Sequence, residues 1–197
     1  MFILRKPNQA AISKFLERQS GSSFSYSELG ASRSQEAPGI YTVDHNRVLL
    51  GYGEEAWRKA IQAIRQWKMF DTGFVSLCFE NTSIEVGQTV AILVRHLGFW
   101  SLNSARIVYV ISESGGPIER YGFAYGTLEE HAERGEERFL VEFHKADGSV
   151  WYDLYAFSQP RSVWARLGYP FSRYLQRRFA VESMRAMQRA VESGGAG

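Results

Sequence analysis

The stretch Arg138-Phe-Leu-Val-Glu-Phe-His-Lys-Ala-Asp-Gly-Ser-Val-Trp-Tyr-Asp-Leu-Tyr-Ala-Phe157 reads as two strands and the turn that joins them. Arg138–His144 and Val150–Phe157 are rich in aromatic and β-branched residues. Lys145-Ala-Asp-Gly-Ser149 links them with a glycine placed for positive φ, which is a hairpin signal. A register centred on Asp147 sets Glu142 opposite Tyr152 and Val141 opposite Asp153. Leu140, Glu142, Tyr152, Leu154 and Ala156 then share one face, and Phe139, Val141, Phe143, Trp151, Asp153 and Tyr155 share the other. Both faces are mixed, so periodicity leaves open which one lies inside. If the first is inside, Glu142 is a carboxylate in an apolar wall, with a raised pKa or a cationic partner such as Arg106 or Arg178. If it is outside, Glu142 is a solvated side chain.

Upstream of the hairpin, Phe74–Glu80, Thr89–Leu97, Arg106–Ser112 and Tyr121–Leu128 also read as strands, with one weakly helical patch near Glu129. Short links and no crossover helices imply an antiparallel meander. Downstream, Pro160 ends the last strand and Pro170 opens a long helix to about Glu192, where a proline at the first helical position is favourable. Before the meander come a helix over Pro7–Gln19, a Ser/Gly/Pro-rich connection over residues 20–39, a strand over Tyr41–Leu50 and a helix over Glu54–Phe70. Phe24 and Tyr26 should hold that connection against the body. Ala56, Trp57, Ala60, Ile61, Ile64, Trp67 and Met69 form the apolar stripe of the second helix. The order implies one α+β domain over residues 1–192, with a disordered tail over 193–197.

Composition narrows the function classes. The chain has 197 residues, 45% hydrophobic, 14% aromatic and 22% charged, with net charge +2. Such near-neutrality disfavours a dedicated nucleic-acid binder. Cys78 is the single cysteine, so no intrachain disulfide forms, and its apolar flanks suggest a buried, inert thiol in a reducing, cytoplasmic setting. No apolar run approaches the length of a membrane span. Nor is there a nucleophile elbow, a phosphate loop or a metal-ligand spacing among His45, His96, His131 and His144. No cofactor is therefore expected. Charge is unevenly placed: residues 160–197 carry seven arginines against two glutamates, a net +5, so the remaining residues sum to −3.

Several blocks resemble the bacterial and plant uncharacterised protein family 0548. They are Arg106-Ile-Val-Tyr-Val, Tyr121-Gly-Phe-Ala-Tyr-Gly-Thr-Leu128, His131, Gly135-Glu-Glu-Arg-Phe-Leu-Val-Glu142, Val150 to Pro160, Ala165-Arg-Leu-Gly-Tyr-Pro170 and Gln176-Arg-Arg-Phe179. Tyr26, Gly30-Ala31-Ser32, Arg47-Val-Leu-Leu-Gly51 and Trp67 to Phe70 are similar in spacing. The sequence departs from the family at Leu128-Glu-Glu-His131-Ala, where members usually carry Pro-Gly-His-Pro. No activity comes with the resemblance. The element order is similar to that of helix-grip domains (START, Bet v 1 and polyketide-cyclase relatives). There a curved antiparallel sheet grips a long C-terminal helix around an apolar cavity, and this chain would add an N-terminal helix and loop.

Candidate site residues follow from this frame. Tyr121, Phe123, Tyr125 and Thr127 alternate with Gly122, Ala124 and Gly126, giving one aromatic face and one nearly bare face. The aromatic residues are either a cavity wall, with the Tyr125 and Thr127 hydroxyls as polar anchors, or part of close helix-on-sheet packing. A ligand site for a small hydrophobic molecule or lipid would draw on Arg106, Phe123, Tyr125, Thr127, Glu142, Tyr152 and Arg178. An enzyme in the same pocket would use Glu142, His131 or Tyr125 for acid–base work, His131 being the one that titrates near neutrality unaided. Otherwise His131, Glu133, Glu136 and Glu137 read as a solvated loop of charges. A third reading has the Arg-rich C-terminal helix dock a protein or polyanion. Within it, Arg178 and Glu182 are spaced for an ion pair.

Overall fold

The computed structural model describes residues 2–79, 82–96, 98–131, 133–160 and 169–192. Its strands are β1 (Phe2–Ile3), β2 (Thr42–Tyr52), β3 (Val75–Leu77), β4 (Thr89–Arg95), β5 (Trp100–Glu113), β6 (Ile118–Thr127), β7 (Glu133–His144) and β8 (Ser149–Pro160). The last seven form a curled antiparallel sheet in the order β2-β8-β7-β6-β5-β4-β3, and β1 pairs with β5. The helices are α1 (Gln9–Gln19), α2 (Ala31–Ser34), α3 (Gly53–Arg65) and the long C-terminal α4 (Tyr169–Glu192). The sheet curls around α4, with α3 beside it, so the expected helix-grip α+β architecture is present. Among the described residues no helix is long and apolar enough to cross a membrane.

The β7–β8 register differs from the expectation by one residue. Phe143 pairs with Val150, Val141 with Tyr152, and Glu142 with Trp151. The cause is the turn. Gly148, at φ 72°, donates its N–H to the carbonyl of His144 at 2.8 Å, so four residues make the loop and Ser149 already belongs to β8. The Asp147 carboxylate accepts from the N–H and hydroxyl of Ser149, at 2.9 and 2.7 Å, and holds that geometry. A one-residue shift exchanges the two faces of one strand relative to its neighbour. The mixed faces therefore separate: Phe139, Val141, Phe143, Val150, Tyr152 and Leu154 all enter the main core, while Glu142, Asp153 and Tyr155 face away from it.

Two strands are longer than their hydrophobic patterns predict. β5 begins at Trp100 rather than Arg106, and β7 at Glu133 rather than Arg138. Glu133-Arg-Gly-Glu-Glu137 has poor strand propensity, yet both neighbours pair with it: Glu136 with Gly126 and Phe157, Glu133 with Pro160. No helix forms near Glu129. Instead His131 donates its N–H to the carbonyl of Leu128 at 2.9 Å, so the turn survives without the family's Pro-Gly.

On the concave side, α3 ends at Arg65, earlier than its stripe suggests. Trp67 adopts a left-handed conformation (φ 56°), and Lys68–Phe70 continues as a 3-10 turn. That reversal drives the Trp67 ring edge-on into Phe123, with centroids 4.7 Å apart, and its Nε1–H donates to the Thr82 carbonyl at 2.8 Å. On the convex side, α1 starts on Asn8, whose Oδ1 accepts from the Ala11 N–H at 2.9 Å, and packs Ile12 and Phe15 on Ala91, Leu93 and Leu102. Residues 20–41 then cross the convex face, held as expected by Tyr26 and with Phe24 packed beside it.

Candidate functional site

The concave residues of four strands grade from apolar to polar along the sheet. On β7 the inward positions run Phe143, Val141, Phe139, Glu137, Gly135, Glu133; on β8 they run Val150, Tyr152, Leu154, Ala156, Ser158. β2 runs Leu50, Val48, Asn46, Asp44, and β5 offers Ile107, Ala105, Asn103, Ser101. The apolar end is filled by α3 and the turn after it, with Trp57 stacked on Phe143 at 6.0 Å and Trp67 edge-on to Phe123. The polar end is not filled. A cavity of about 260 Å³ lies there between the sheet and α4. Phe70, Phe74, Ile92, Leu154, Leu175 and Phe179 supply apolar wall, and Asp44, Tyr125, His131, Glu133, Glu137 and Gln176 line it with polar groups.

These polar groups form two hydrogen-bonded sets, Tyr125 with Glu137 and a chain through Glu133, Gln176, Arg173 and Asp44. The Tyr125 hydroxyl donates to Glu137 Oε2 at 2.6 Å. Burial, reinforced by the nearby Asp44 and Glu133 charges and only partly offset by that hydrogen bond, pushes Glu137 up to about 7. Burial also raises the Tyr125 hydroxyl, with the Glu137 charge adding to it. Glu133 is raised by burial too, although Gln176 Nε2 donates to its Oε2 at 2.5 Å. Gln176 Nε2 also reaches the Ser158 hydroxyl at 3.0 Å, and its Oε1 accepts from Arg173 at 2.6 Å. Arg173 grips Asp44 with both Nη atoms, Nη2 lying 2.6 Å from Oδ1. His131 Nδ1 lies 3.1 Å from both the N–H and the carbonyl oxygen of Glu133, and burial pulls the imidazole down to about 4, so the ring is neutral near pH 7. Among the described residues no group of three or more His, Cys, Asp or Glu side chains is arranged to hold a metal ion.

Of the residues singled out from the sequence, the structure brings Tyr125, Thr127 and His131 to the cavity. Phe123 is fully buried deeper in the core against Phe139, at 5.3 Å, and Tyr152 fastens α4 through its hydroxyl, 2.9 Å from Ser183 Oγ. Glu142, Arg106 and Arg178 are placed elsewhere. Glu142 lies on the convex face, paired with Arg47 at 2.7 Å and Arg120 at 2.9 Å, because the register puts even-numbered β7 residues there. Arg106 is also convex, donating to the carbonyls of Gln19, Ser20 and Ser22 just beyond α1. Arg178 pairs with Glu182 at 2.7 Å, as its spacing predicts, and lies 4.2 Å over the Phe74 ring on the side of α4.

The acidic segment corrects the expectation most. Far from a solvated loop, Glu133 and Glu137 line the cavity while Glu136 is buried on the opposite face. There Glu136 accepts from the Tyr26 hydroxyl (2.6 Å), the N–H groups of Gly30 (2.9 Å) and Ser32 (3.0 Å), and the Ser32 hydroxyl. At Gly126 the bare face of β6 receives this strap, a Cβ there lying 2.1 Å from the Tyr26 hydroxyl, whereas at Gly122 a Cβ would meet the Phe139 carbonyl of β7 at 2.1 Å. Burial also raises the Cys78 thiol to about 11, consistent with an inert side chain. On α4, Arg173 and Arg178 have carboxylate partners and Arg189 donates to the Asp71 carbonyl at 3.2 Å, whereas Arg161 and Arg166 lie outside the described residues.

Comparison with known proteins agrees with this architecture. The crystal structure of Ara h 8.0201 matches with a TM-score of 0.52 at 12% sequence identity, covering 78% of this chain and 99% of that one, which shows the shared helix-grip (Bet v 1-like) fold. A UPF0548 protein of Dictyostelium discoideum is 38% identical, covering 98% of this chain and 97% of its own. A UPF0548 protein of Deinococcus radiodurans is 37% identical, covering 97% and 99%. The family model for the Domain of unknown function (DUF1990) matches residues 25–186. On both the family model and these near full-length relatives, the chain belongs to the UPF0548 family.

Proposed function

We propose that this protein is a binding module that holds a small, mainly apolar molecule in the cavity between the sheet and α4. The observation that carries the reading is the gradient of the concave face. The core is filled at one end, whereas the other end keeps a cavity of about 260 Å³ with apolar walls and a small set of convergent polar groups. Small-molecule sites have this character, apolar surface for affinity and few polar groups for orientation. Tyr125 and Thr127 are the polar anchors named from the sequence, and His131, Glu137, Glu133 and Gln176 join them. Phe123 and Tyr152 support the wall from behind.

The test is direct binding. 4-Phenylbutanol, a neutral probe with an aromatic body and one hydroxyl, should bind in titration calorimetry. Ala180→Trp, which places a large ring on the cavity face of α4, should remove that binding while the protein still melts cooperatively. Native mass spectrometry of gently purified protein gives a second readout, a co-purified apolar molecule. No probe bound and no molecule retained would defeat the reading.

Acid–base catalysis in the same cavity is a second reading, favoured by one observation: a carboxyl that titrates at about 7 lies 2.6 Å from a tyrosine hydroxyl. The acid–base pair is then Glu137 and Tyr125. A retained molecule that the wild type transforms, and that Glu137→Gln binds unchanged, would support catalysis. Return of the same molecule by both would leave binding alone.

A further inference from the structure

The polar end of the cavity also bears on which apolar molecules it takes, an inference that rests on the binding reading above. Three carboxylates converge there, Asp44 from β2 and Glu133 and Glu137 from β7. The guanidinium that faces them, Arg173 of α4, is engaged by Asp44 through paired contacts. Among the described residues no lysine or arginine lies within ion-pair distance of Glu133 or Glu137. Their hydrogen-bond donors are neutral: Gln176 at 2.5 Å and Ser172 to Glu133, which also feels the nearby Arg173 charge, and Tyr125 alone to Glu137 at 2.6 Å. A carboxylate offers about four acceptor sites, so one hydrogen bond leaves Glu137 with acceptor capacity on the cavity it lines. His131 adds no positive charge near pH 7, since burial pulls its imidazole down to about 4.

We propose that the cavity selects a cationic amphiphile: an amine whose ammonium group docks on Glu137 and Glu133 while its apolar body lies against Phe70, Leu175 and Phe179. An ammonium brings three donors and no acceptor, which complements Glu137, whose carboxylate takes one hydrogen bond, from Tyr125. It also relieves the mutual repulsion of these carboxylates, and the attraction is strong because the site is partly desolvated. A ligand ending in a carboxylate meets the opposite situation. It adds a like charge to a group of acceptors and must be protonated or repelled. The cavity thereby discriminates among molecules with the same apolar body, favouring amines and rejecting fatty acids and other apolar acids.

Three probes that differ only in the end group test this: 4-phenylbutylamine, 4-phenylbutanol and 4-phenylbutyrate, titrated by calorimetry at pH 7.5. The amine, with a pKa near that of lysine at about 10, is then charged. It should bind at least about tenfold more tightly than the alcohol, as charge-assisted hydrogen bonds require, and the butyrate should bind more weakly than the alcohol. Glu137→Gln preserves side-chain volume and an acceptor for Tyr125. In that variant the amine and alcohol affinities should draw together to within about threefold. Should the variant fold poorly, the order of the three probes on the wild type decides alone. Alcohol or butyrate binding as tightly as the amine overturns the amine preference and leaves the apolar cavity standing. Failure of all three probes to bind overturns both.

Discussion

Glu137 and Glu142 stand five positions apart on one strand, so their side chains leave it on opposite faces. That parity separates a carboxyl in a cavity from one clamped by Arg47 and Arg120. The sequence leaves open a carboxyl in an apolar wall at Glu142, and the structure places such a carboxyl at Glu137 instead. The alternation Glu133-x-Gly135-x-Glu137-x-Phe139-x-Val141-x-Phe143 was the available signal, hidden by reading Glu133–Glu137 as a loop. The pKa of Glu137 makes a stability prediction. At about 7 in the folded protein it lies above its ordinary value of 4.5, so the fold favours the neutral acid. This contribution is complete below about pH 4.5 and is lost as the pH rises through 7. Glu137→Gln cannot ionise, so it should gain stability relative to wild type between pH 5 and pH 8, by roughly 3 kcal/mol at most. Urea melts at the two pH values check this, and an identical difference at both would contradict it. His131 works with the opposite sign. Lowered from 6.5 to about 4, it favours the neutral ring above pH 6.5 and loses that contribution as the pH falls through 4. Its assigned ring resonances should therefore stay constant from pH 7.5 to 5.5, and a midpoint near 6.5 would place the ring in water.

At the scale of elements, the hydrophobic periods located most strands and both long helices, but junctions escaped them. α3 stops because the Trp67 ring is needed against Phe123, a tertiary demand that outweighs the local helical pattern. Trp67→Ala should accordingly cost about 3–5 kcal/mol in chemical denaturation, the range for removing a large buried ring. The convex strap was legible only in part. Tyr26 and Phe24 signalled that residues 20–39 pack on the body, whereas the acceptor, Glu136, looked solvated. Position 126 is bare because the Tyr26 hydroxyl crosses directly above it to reach Glu136. Tyr26→Phe removes one donor from a buried carboxylate and should lower stability by about 2 kcal/mol. Gly126→Ala should do at least as much damage, because Tyr26, tied at its hydroxyl, cannot swing aside without breaking that bond. Combining the two changes should give less than the sum of their effects, since both break the same contact. Strict additivity in urea melts would mean that Gly126 acts through something other than the Tyr26 contact.

Across the whole molecule, the near-neutral charge conceals a division of labour. Three of the described C-terminal arginines are engaged within the fold: Arg173 pairs with Asp44 at the cavity, Arg178 pairs with Glu182 one turn along α4 and covers Phe74, and Arg189 donates to the Asp71 carbonyl. The +5 segment and the −3 remainder are joined by the Arg173–Asp44 pair at the seam between helix and sheet. The same seam contains the cavity. α4 contributes Leu175, Gln176, Phe179 and Ala180 to its lining, and the sheet contributes residues from β2, β4, β5, β6, β7 and β8. A molecule in the cavity thus touches both layers at once, at the end where the core leaves them apart, and unfolding of either layer releases it. Ligand binding must then stabilise the entire fold rather than one element. At a free concentration of about 100 times the Kd the gain is about 2.7 kcal/mol. For a domain of this size that raises Tm by roughly 5–11 °C. The shift should appear with 4-phenylbutylamine in a calorimetric scan and grow with the logarithm of its concentration. It should be absent in Ala180→Trp, whose ring occupies the space, although the cooperative transition remains. A ligand shift that persists in Ala180→Trp would put the binding site outside this cavity.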